Sequence, residues 1–252
     1  MKAFELLRPT TIEQVLELLP KQADRDRVRV VSGGQDLYTE MKEHLAEPDQ
    51  LIDLKRLPDL DRIEVDAAGN FTIGALVTIA MLAEDVRIRE KLTVVSEAAA
   101  SVASTQIRNV GTLGGNLNQR PRCWYYRHEG AKCLKKGGTE CFSKEGLNKY
   151  NAILGGGPSY IVHPSDLAPA LVCAGAEVVL VKKGASRTVP LEKYYTLPRD
   201  GDVTRETVLA SDEILTHVKV PAPARGWRST YLKFKERGSF DFALASVAAG
   251  LV

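Results

Sequence analysis

Hydrophobic and polar positions in the first half of the chain change repeatedly between strand-like and helix-like spacing. The stretch PTTIEQVLELL, at 9–19, predicts a helix with a threonine cap, and VRVVSGGQDL predicts a strand that runs into a glycine turn. QLIDL, at 50–54, predicts the next strand, FTIGALVTIAMLAE predicts a strand and a helix, and KLTVVSEAAASVAS predicts a second helix. This pattern indicates an α/β organisation.

Residues 120–160 break the pattern. They contain three cysteines, many glycines and basic residues, and little hydrophobic periodicity, which predicts an insertion without a core of its own. After it, LAPALVCAGAEVVLV and SRTVPLEKYY resume helix and strand patterns, and EILTHVKVPAP alternates like a strand closed by prolines. WRSTYLKFKERGSFDFALASVAAGLV then begins another alternating strand, followed by an alanine-rich segment.

Length and charge restrict the function more than they define it. A chain of 252 residues is long enough for more than one compact unit. With 34 Lys and Arg against 32 Asp and Glu, a net charge of +2 gives no general attraction to nucleic acid or acidic membranes. The charged N-terminus and the short apolar runs predict a soluble cytoplasmic protein, in which the four cysteines are thiols or metal ligands.

Two glycine segments carry the clearest candidate chemistry: VVSGGQDL at 30–37 and GTLGGNL at 111–117. Glycine permits positive φ and leaves out the Cβ that would block a phosphate, so backbone N–H groups in such loops can face an anion. Neither segment matches GxGxxG or a Walker A loop, and each alone is also compatible with an ordinary tight turn. The occurrence of both predicts a pyrophosphate between them.

Four motifs in order, SGGQDL, QIRNVGTLGGN, HPSDLAPAL and YLKFKERGSFDFALASVA, resemble the FAD-binding medium subunit of the molybdenum hydroxylases, the family of carbon monoxide dehydrogenase and xanthine dehydrogenase. The nearest type by resemblance is the 4-hydroxybenzoyl-CoA reductase beta subunit, which has an iron–sulfur insertion. The resemblance implies an α+β fold with two α/β FAD-binding subdomains, at 1–55 and 56–222. Residues 223–252 resemble only the beginning of the family's C-terminal α+β domain, so its remainder is expected to be absent or supplied elsewhere.

The resemblance also implies that FAD lies in a cleft between the two subdomains. The implied cofactor-binding residues are Ser32, Gly33, Gly34, Gln35, Asp36, Leu37, Gly111, Thr112, Leu113, Gly114, Gly115, Asn116, Asp166 and Lys233. Asp166 has an alternative interpretation as the N-cap of the helix that begins at LAPAL. Lys233 is expected near the flavin ring, where a positive charge favours the reduced, anionic flavin.

Cys123, Cys133 and Cys141 are the candidate metal ligands. Thiolates bind iron strongly, and a glycine-rich loop with nearby lysines and arginines can surround a cluster and offset its negative charge. By resemblance, a fourth cysteine is expected just before YIVHPSD, where this chain has Ser159. Three outcomes stay open: a [4Fe–4S] cluster with an oxygen ligand, a [3Fe–4S] cluster, or a loop without a cluster. Cys173 lies among apolar residues and is interpreted as a core residue.

The predicted function is electron transfer. By resemblance, the chain is the FAD-binding subunit of a heteromeric molybdenum-containing oxidoreductase, whose partners are a molybdenum-cofactor large subunit and a [2Fe–2S] small subunit. No acid–base pair or nucleophile triad stands out, and the four histidines are spread without catalytic spacing. The alternatives are a self-contained FAD-dependent oxidoreductase with its own small substrate, and an iron–sulfur scaffold protein that uses the cysteine loop.

Overall fold

The computed structural model describes residues 1–252 as an α+β protein with three sheets, in agreement with the predicted fold class. The helices are α1 (Ile12–Leu18), α2 (Leu37–Lys42), α3 (Ile79–Glu84), α4 (Val86–Lys91), α5 (Thr93–Ser101), α6 (Thr105–Val110), α7 (Leu113–Leu117) and α8 (Leu167–Cys173). The strands are β1 (Glu5–Leu7), β2 (Val28–Val31), β3 (Gln50–Asp53), β4 (Ile63–Val65), β5 (Phe71–Gly74), β6 (Glu177–Lys182), β7 (Ala185–Pro190), β8 (Ile214–Val220), β9 (Arg228–Phe234) and β10 (Ala245–Leu251). None of the helices is long and apolar enough to cross a membrane.

The first sheet is parallel and has the order β1-β3-β2. Its connections are helical, as parallel neighbours require: α1 lies between β1 and β2, and α2 lies between β2 and β3. Thr11 caps α1 by accepting a hydrogen bond from the backbone N–H of Gln14, as the threonine in the sequence pattern predicts. The carboxyl end of β2 at Val31 leads directly into the first glycine turn.

The second sheet is antiparallel, with the order β4-β5-β8-β6-β7. One face of it packs against α3, α5, α7 and α8 to form the main core, in which Phe71, Val178 and Val218 are fully buried. A fully buried side chain of this size contributes roughly 1.5–3 kcal/mol. A smaller apolar cluster that includes Val15, Ile52 and Ile214 joins the parallel sheet to the antiparallel one.

The last two strands, β9 and β10, form an antiparallel pair that packs on α5 and α8. Tyr231 from β9 joins the main core, while Leu232 and Phe234 are largely exposed on the opposite face. This pair does not have a separate core of its own. The domain boundaries at 55 and 222 remain predictions.

Residues 120–160 contain one short regular element, the 3-10 turn Leu134–Lys136. The segment nevertheless holds buried side chains, among them Tyr126, Cys133, Lys135 and Ser159. Most of these are polar, so the segment is attached to the rest of the chain by hydrogen bonds and charge rather than by an apolar core. We call it the cysteine segment.

Candidate functional site

The first glycine loop, residues 32–36, joins the carboxyl end of β2 to α2. Gly34 has φ +69°, a conformation that favours glycine, and a Cβ there would lie 2.3 Å from the Tyr38 ring. No acceptor within the chain takes a hydrogen bond from the backbone N–H groups of residues 32–36. Consecutive free N–H groups in a glycine loop form a concave site for an anion.

The second glycine segment, residues 111–116, is not an open loop, because from Leu113 onward it forms the first part of α7; we keep the name second glycine loop for it. Its N–H groups are used differently from those of the first loop. Leu113 and Gly114 donate to the carbonyls of Val77 and Ala75, and Gly115 donates to the Thr112 hydroxyl. Its amides are therefore already paired, and the prediction that both loops offer free N–H groups to a phosphate is wrong for residues 113–115. In the second loop only the N–H of Thr112 has no acceptor within the chain, whereas the first loop has five such donors in a row.

The two loops pack directly against each other. Ser32 Oγ and Thr112 Oγ1 lie 2.8 Å apart, and a Cβ on Gly33 would lie 2.3 Å from the carbonyl oxygen of Val110. A Cβ on Gly114 would lie 3.0 Å from Cβ of Ala75. Gly33 and Gly114 are therefore needed because other parts of the chain pack closely against them. The sequence had suggested a different reason for the missing Cβ atoms, the approach of a phosphate.

A cavity of about 390 Å³ opens between the two loops. Its wall also includes Pro164, Asp166 and the loop after β9, with Phe240 and Phe242. A second chamber of about 250 Å³ shares Ser32, Gly115 and other wall residues with the first. The cavity is thus lined both by residues of the parallel-sheet unit and by residues of α3, α6 and α7.

Asp166 and Lys233 form a buried ion pair at the cavity wall. Lys233 Nζ lies 2.7 Å from Asp166 Oδ2, and the Tyr231 hydroxyl donates to Asp166 Oδ1 at 2.7 Å. Burial is the main cause of the raised pKa of Tyr231, so the phenol keeps its proton and can donate. The pair fixes the orientation of the Asp166 carboxylate.

Asp166 does not cap α8 through its side chain, so that alternative interpretation is wrong. The capping bond is made by Ser165, whose Oγ accepts from the backbone N–H of Ala168 at 3.0 Å. Ser165 also donates to Asn116 Oδ1 at 2.5 Å, which connects the HPSD motif to the second glycine loop.

Most of the predicted cofactor-binding residues lie at the cavity wall. Those that line it are Ser32, Gly33, Gly34, Gln35, Asp36, Leu37, Gly111, Thr112, Gly115, Asn116 and Asp166. Three do not: Leu113 is buried in the core, Gly114 lines only the second chamber, and Lys233 reaches the wall through Asp166. Eleven of the fourteen residues therefore lie together at one cavity, and their role in cofactor binding remains a prediction.

Sequence reasoning missed a set of charged residues, beside the cavity, that joins the cysteine segment to the rest of the chain. They are Glu40, Arg120, Arg122, Arg127, Lys135 and Glu206. It also missed the wall residues Arg237, Phe240, Asp241 and Phe242, although the quoted motif YLKFKERGSFDFALASVA contains all four. The cluster of arginines in RPRCWYYR was the available signal, and it was interpreted only as charge compensation for a metal.

The candidate metal ligands are not brought together. The structure contains no group of three or more Cys, His, Asp or Glu side chains that could hold a metal ion. All four cysteines are free thiols; Cys133 is buried, and Cys141 Sγ lies 3.1 Å from Ser143 Oγ. Burial raises the pKa of the Cys133 thiol. As arranged here, Cys123, Cys133, Cys141 and Ser159 do not fit a cluster without movement.

The cleft does fit a dinucleotide. It has backbone donors without acceptors in one loop, glycines that let two loops approach, and apolar as well as charged groups along its wall. These features together define a nucleotide-cofactor-binding protein built on an α+β scaffold.

Comparison with known proteins gives the family. Residues 2–223 match the family described as "FAD binding domain in molybdopterin dehydrogenase". The chain is 37% identical to the aldehyde oxidoreductase FAD-binding subunit PaoB of Escherichia coli, over 99% of this chain and 77% of that protein. It is 28% identical to the nicotinate dehydrogenase FAD-subunit of Eubacterium barkeri, over 100% of this chain and 69% of that one.

Solved structures agree with this result. Carbon monoxide dehydrogenase from Hydrogenophaga pseudoflava superposes with a TM-score of 0.71 at 25% identity, over 98% of this chain and 68% of that one. The reconstituted enzyme from Oligotropha carboxidovorans gives a TM-score of 0.72 at 26% identity, over 98% of this chain and 69% of that one. The chain belongs to the FAD-binding medium subunits of molybdenum-containing oxidoreductases, and the predicted resemblance is confirmed at that level.

Proposed function

We propose that this chain holds FAD in the cleft between the two glycine loops and exchanges electrons between iron–sulfur centres and an external partner. The observation that carries the proposal is the run of N–H groups without acceptors at residues 32–36, all of which line the same cavity as Asp166. A diphosphate in that loop would gain several charge-assisted hydrogen bonds at once. Bound FAD supplies the ability to accept and release electrons in steps of one or two.

The residues of the chain would bind and orient this cofactor rather than catalyse substrate chemistry. The first glycine loop would hold the diphosphate through Ser32, Gly33, Gly34 and Gln35, and the second loop would present Thr112 and Asn116 from the opposite side. Asp166 would contact the cofactor with its orientation fixed by Lys233 and Tyr231. Because Lys233 is neutralised by Asp166 at 2.7 Å, we expect its field at the flavin ring to be weaker than that of an unpaired lysine.

The proposed partners are a large subunit with the molybdenum cofactor and a small subunit with [2Fe–2S] centres. The proposal is supported by the names of the relatives, which are subunits or chains of larger oxidoreductases. Co-expression with candidate partner subunits tests it. We expect one complex that contains all three chains, in which anaerobic addition of substrate bleaches the flavin absorption.

A self-contained FAD-dependent oxidoreductase is the rival, and it predicts a different result. The lone chain, loaded with FAD, would then turn over a small substrate without partner subunits. We expect the lone chain to bind FAD and to be reduced by dithionite, with no substrate turnover. Substrate turnover by the isolated chain would support the rival.

We also propose that the cysteine segment binds a [4Fe–4S] or [3Fe–4S] cluster, with Cys123, Cys133 and Cys141 as ligands and Ser159 as the fourth position. The proposal is supported by three free thiols within one segment that has almost no regular structure. Burial is the main cause of the raised pKa of the Cys133 thiol, and Cys123 adds a small further increase. The side chains would have to turn toward one another, and metal binding can drive such a change.

Iron and sulfide analysis of anaerobically prepared protein tests the cluster. We expect bound iron and sulfide in the natural chain, loss of both in Cys133→Ser, and a more stably bound cluster in Ser159→Cys. Cys173→Ser is the matched control, because Cys173 lies on α8 outside the cysteine segment. Iron-free protein, with Cys133→Ser equal to the natural chain in stability, would contradict the proposal.

A further inference from the structure

The side chain of Asp36, predicted to contact the cofactor, faces the cysteine segment. Its Oδ2 accepts from the backbone N–H of Arg120 at 2.6 Å. Its Oδ1 lies 2.7 Å from Arg122 Nη1 and accepts from Arg127 Nη2 at 2.8 Å. Three donors from one short stretch of the cysteine segment thus converge on one carboxylate of the first glycine loop.

This contact is part of a larger buried charge network. Tyr126 donates to Glu40 Oε1 at 2.8 Å, and Arg120 donates to Glu206 Oε2 at 2.7 Å. Lys135, almost fully buried, lies 2.7 Å from Glu206 Oε1. Breaking one partner of a buried charge pair leaves the other uncompensated, which is strongly unfavourable. The network therefore holds the cysteine segment on two parts of the chain: on the parallel-sheet unit through Glu40, and on the segment before β8 through Glu206.

The same stretch reaches the cofactor cavity. Arg122 lines the cavity and lies over the Phe242 ring at 5.1 Å, so it connects the first glycine loop to the loop after β9. Arg127 also contacts Asp36, and it does not line the cavity. Four cationic side chains (Arg120, Arg122, Arg127 and Lys135) face three carboxylates (Asp36, Glu40 and Glu206), which leaves an excess of positive charge beside the cleft.

From this arrangement we infer that the cysteine segment is a working part of the flavin site: its arginines hold Asp36 and so fix the first glycine loop in its anion-binding shape. Arg127 is the positioning residue, because it acts on the loop from outside the cavity. The excess positive charge also stabilises a reduced, anionic flavin. This inference rests on the proposed function, and it adds a role for the cysteine segment that does not depend on bound iron.

Arg127→Gln in the full chain is the direct test. We expect FAD to bind about tenfold more weakly, because the variant loses one charge-assisted hydrogen bond to Asp36. We also expect the flavin midpoint potential to become more negative, because one positive charge is removed. Arg127→Lys keeps the charge but has a single nitrogen in place of the guanidinium donors that reach Asp36 and the Pro121 carbonyl, so it should retain the potential and recover only part of the affinity.

Arg87→Gln is the matched control, because Arg87 pairs with Asp85 at the start of α4, away from the cavity. It should change neither affinity nor potential. If Arg127→Gln folds, binds FAD within twofold of the natural chain and leaves the flavin midpoint potential unshifted, the inference is wrong. The proposed function would still stand. If the natural chain does not bind FAD, the proposed function fails first.

A second measurement needs no variant. Hydrogen exchange of the natural chain with and without FAD should show slower exchange at residues 120–127 when FAD is bound, since the loop and the cysteine segment order together. Unchanged exchange in that stretch, with FAD bound, would overturn the inference even if Arg127→Gln does not fold.

Discussion

At the scale of single residues, the glycines of the two loops have different tasks that the sequence does not separate. Gly33 lets the loops touch, Gly34 adopts a left-handed turn, and Gly115 lies in α7 beside the bridge between Ser32 and Thr112. Sequence reasoning found the loops because clustered glycines are visible as letters. It could not say which backbone donors are free, because that depends on partners such as Val77 and Ala75 that lie far away along the chain.

Two alanine substitutions separate these tasks. Gly33→Ala should lower the free energy of unfolding by about 2 kcal/mol or more, because its Cβ would lie 2.3 Å from a backbone carbonyl. Gly115→Ala meets only the hydroxyls of Thr112 and Ser32, at 3.1 and 3.3 Å, and sits in a helical conformation. It should keep its stability and bind FAD on the order of tenfold more weakly. Urea unfolding and FAD titration of both variants check this, and equal behaviour of the two would contradict it.

His163 gives a prediction about pH. Burial lowers its pKa to about 4, and its ring packs on Tyr195 at 4.6 Å between centroids. The unfolded state binds the proton more readily, so this contribution to stability is complete above the ordinary pKa of about 6.5 and is lost as the pH falls toward 4. The loss should be roughly 2–3 kcal/mol, less than the full linkage value because the ring is partly exposed.

His163→Phe keeps the aromatic packing and removes the titration. The difference in unfolding free energy between the natural chain and this variant should therefore change across pH 6.5 to 4. Above pH 7 the difference should be constant. If the plots of unfolding free energy against pH for the two proteins are parallel throughout the acid range, His163 has the same pKa in the folded and unfolded chains, and the prediction is wrong.

At the scale of elements, the hydrophobic pattern predicted elements such as α1, α5, α8, β5 and β8, and missed β1, β4, α4, α6, α7 and β10. The cap of α1 at Thr11 and the alternation in the second part of β8, from Thr216 to Val220, are local signals, so they can be derived from neighbouring residues. The attachment of the cysteine segment was not predictable in this way. Its partners, Asp36, Glu40 and Glu206, lie in two distant parts of the chain, and a polar interface has no periodicity.

The contact between α8 and β9 gives a prediction at this scale. Lys233→Met leaves the Asp166 carboxylate buried with only the Tyr231 hydroxyl as donor, so it should cost roughly 3–5 kcal/mol of unfolding free energy. The double variant Asp166→Asn with Lys233→Met removes both charges and should recover a large part of that loss. A double-mutant cycle by urea unfolding measures the coupling; additive losses would mean that the pair contributes nothing.

At the scale of the whole molecule, two units of different sheet type meet at the cleft. The small apolar cluster with Val15, Ile52 and Ile214 holds the units together, and the glycine loops meet at the resulting edge. A cofactor in this cleft contacts both units, so its binding should stabilise the whole chain by mass action. The sequence indicated the family through four motifs in a fixed order. These motifs are spread along the whole chain, and no single loop would have been sufficient.

The central claim is that the first glycine loop binds the diphosphate of FAD through its unpaired backbone N–H groups. Amide NMR of the labelled chain during FAD titration tests it most directly. The account predicts binding at one site, with the largest shifts and new exchange protection at the amides of Gly33, Gly34 and Gln35, and small changes at Leu113 and Gly114, whose amides are already paired. A folded chain that does not bind FAD, or one that binds it while the amides of residues 32–36 remain unchanged, would contradict the account.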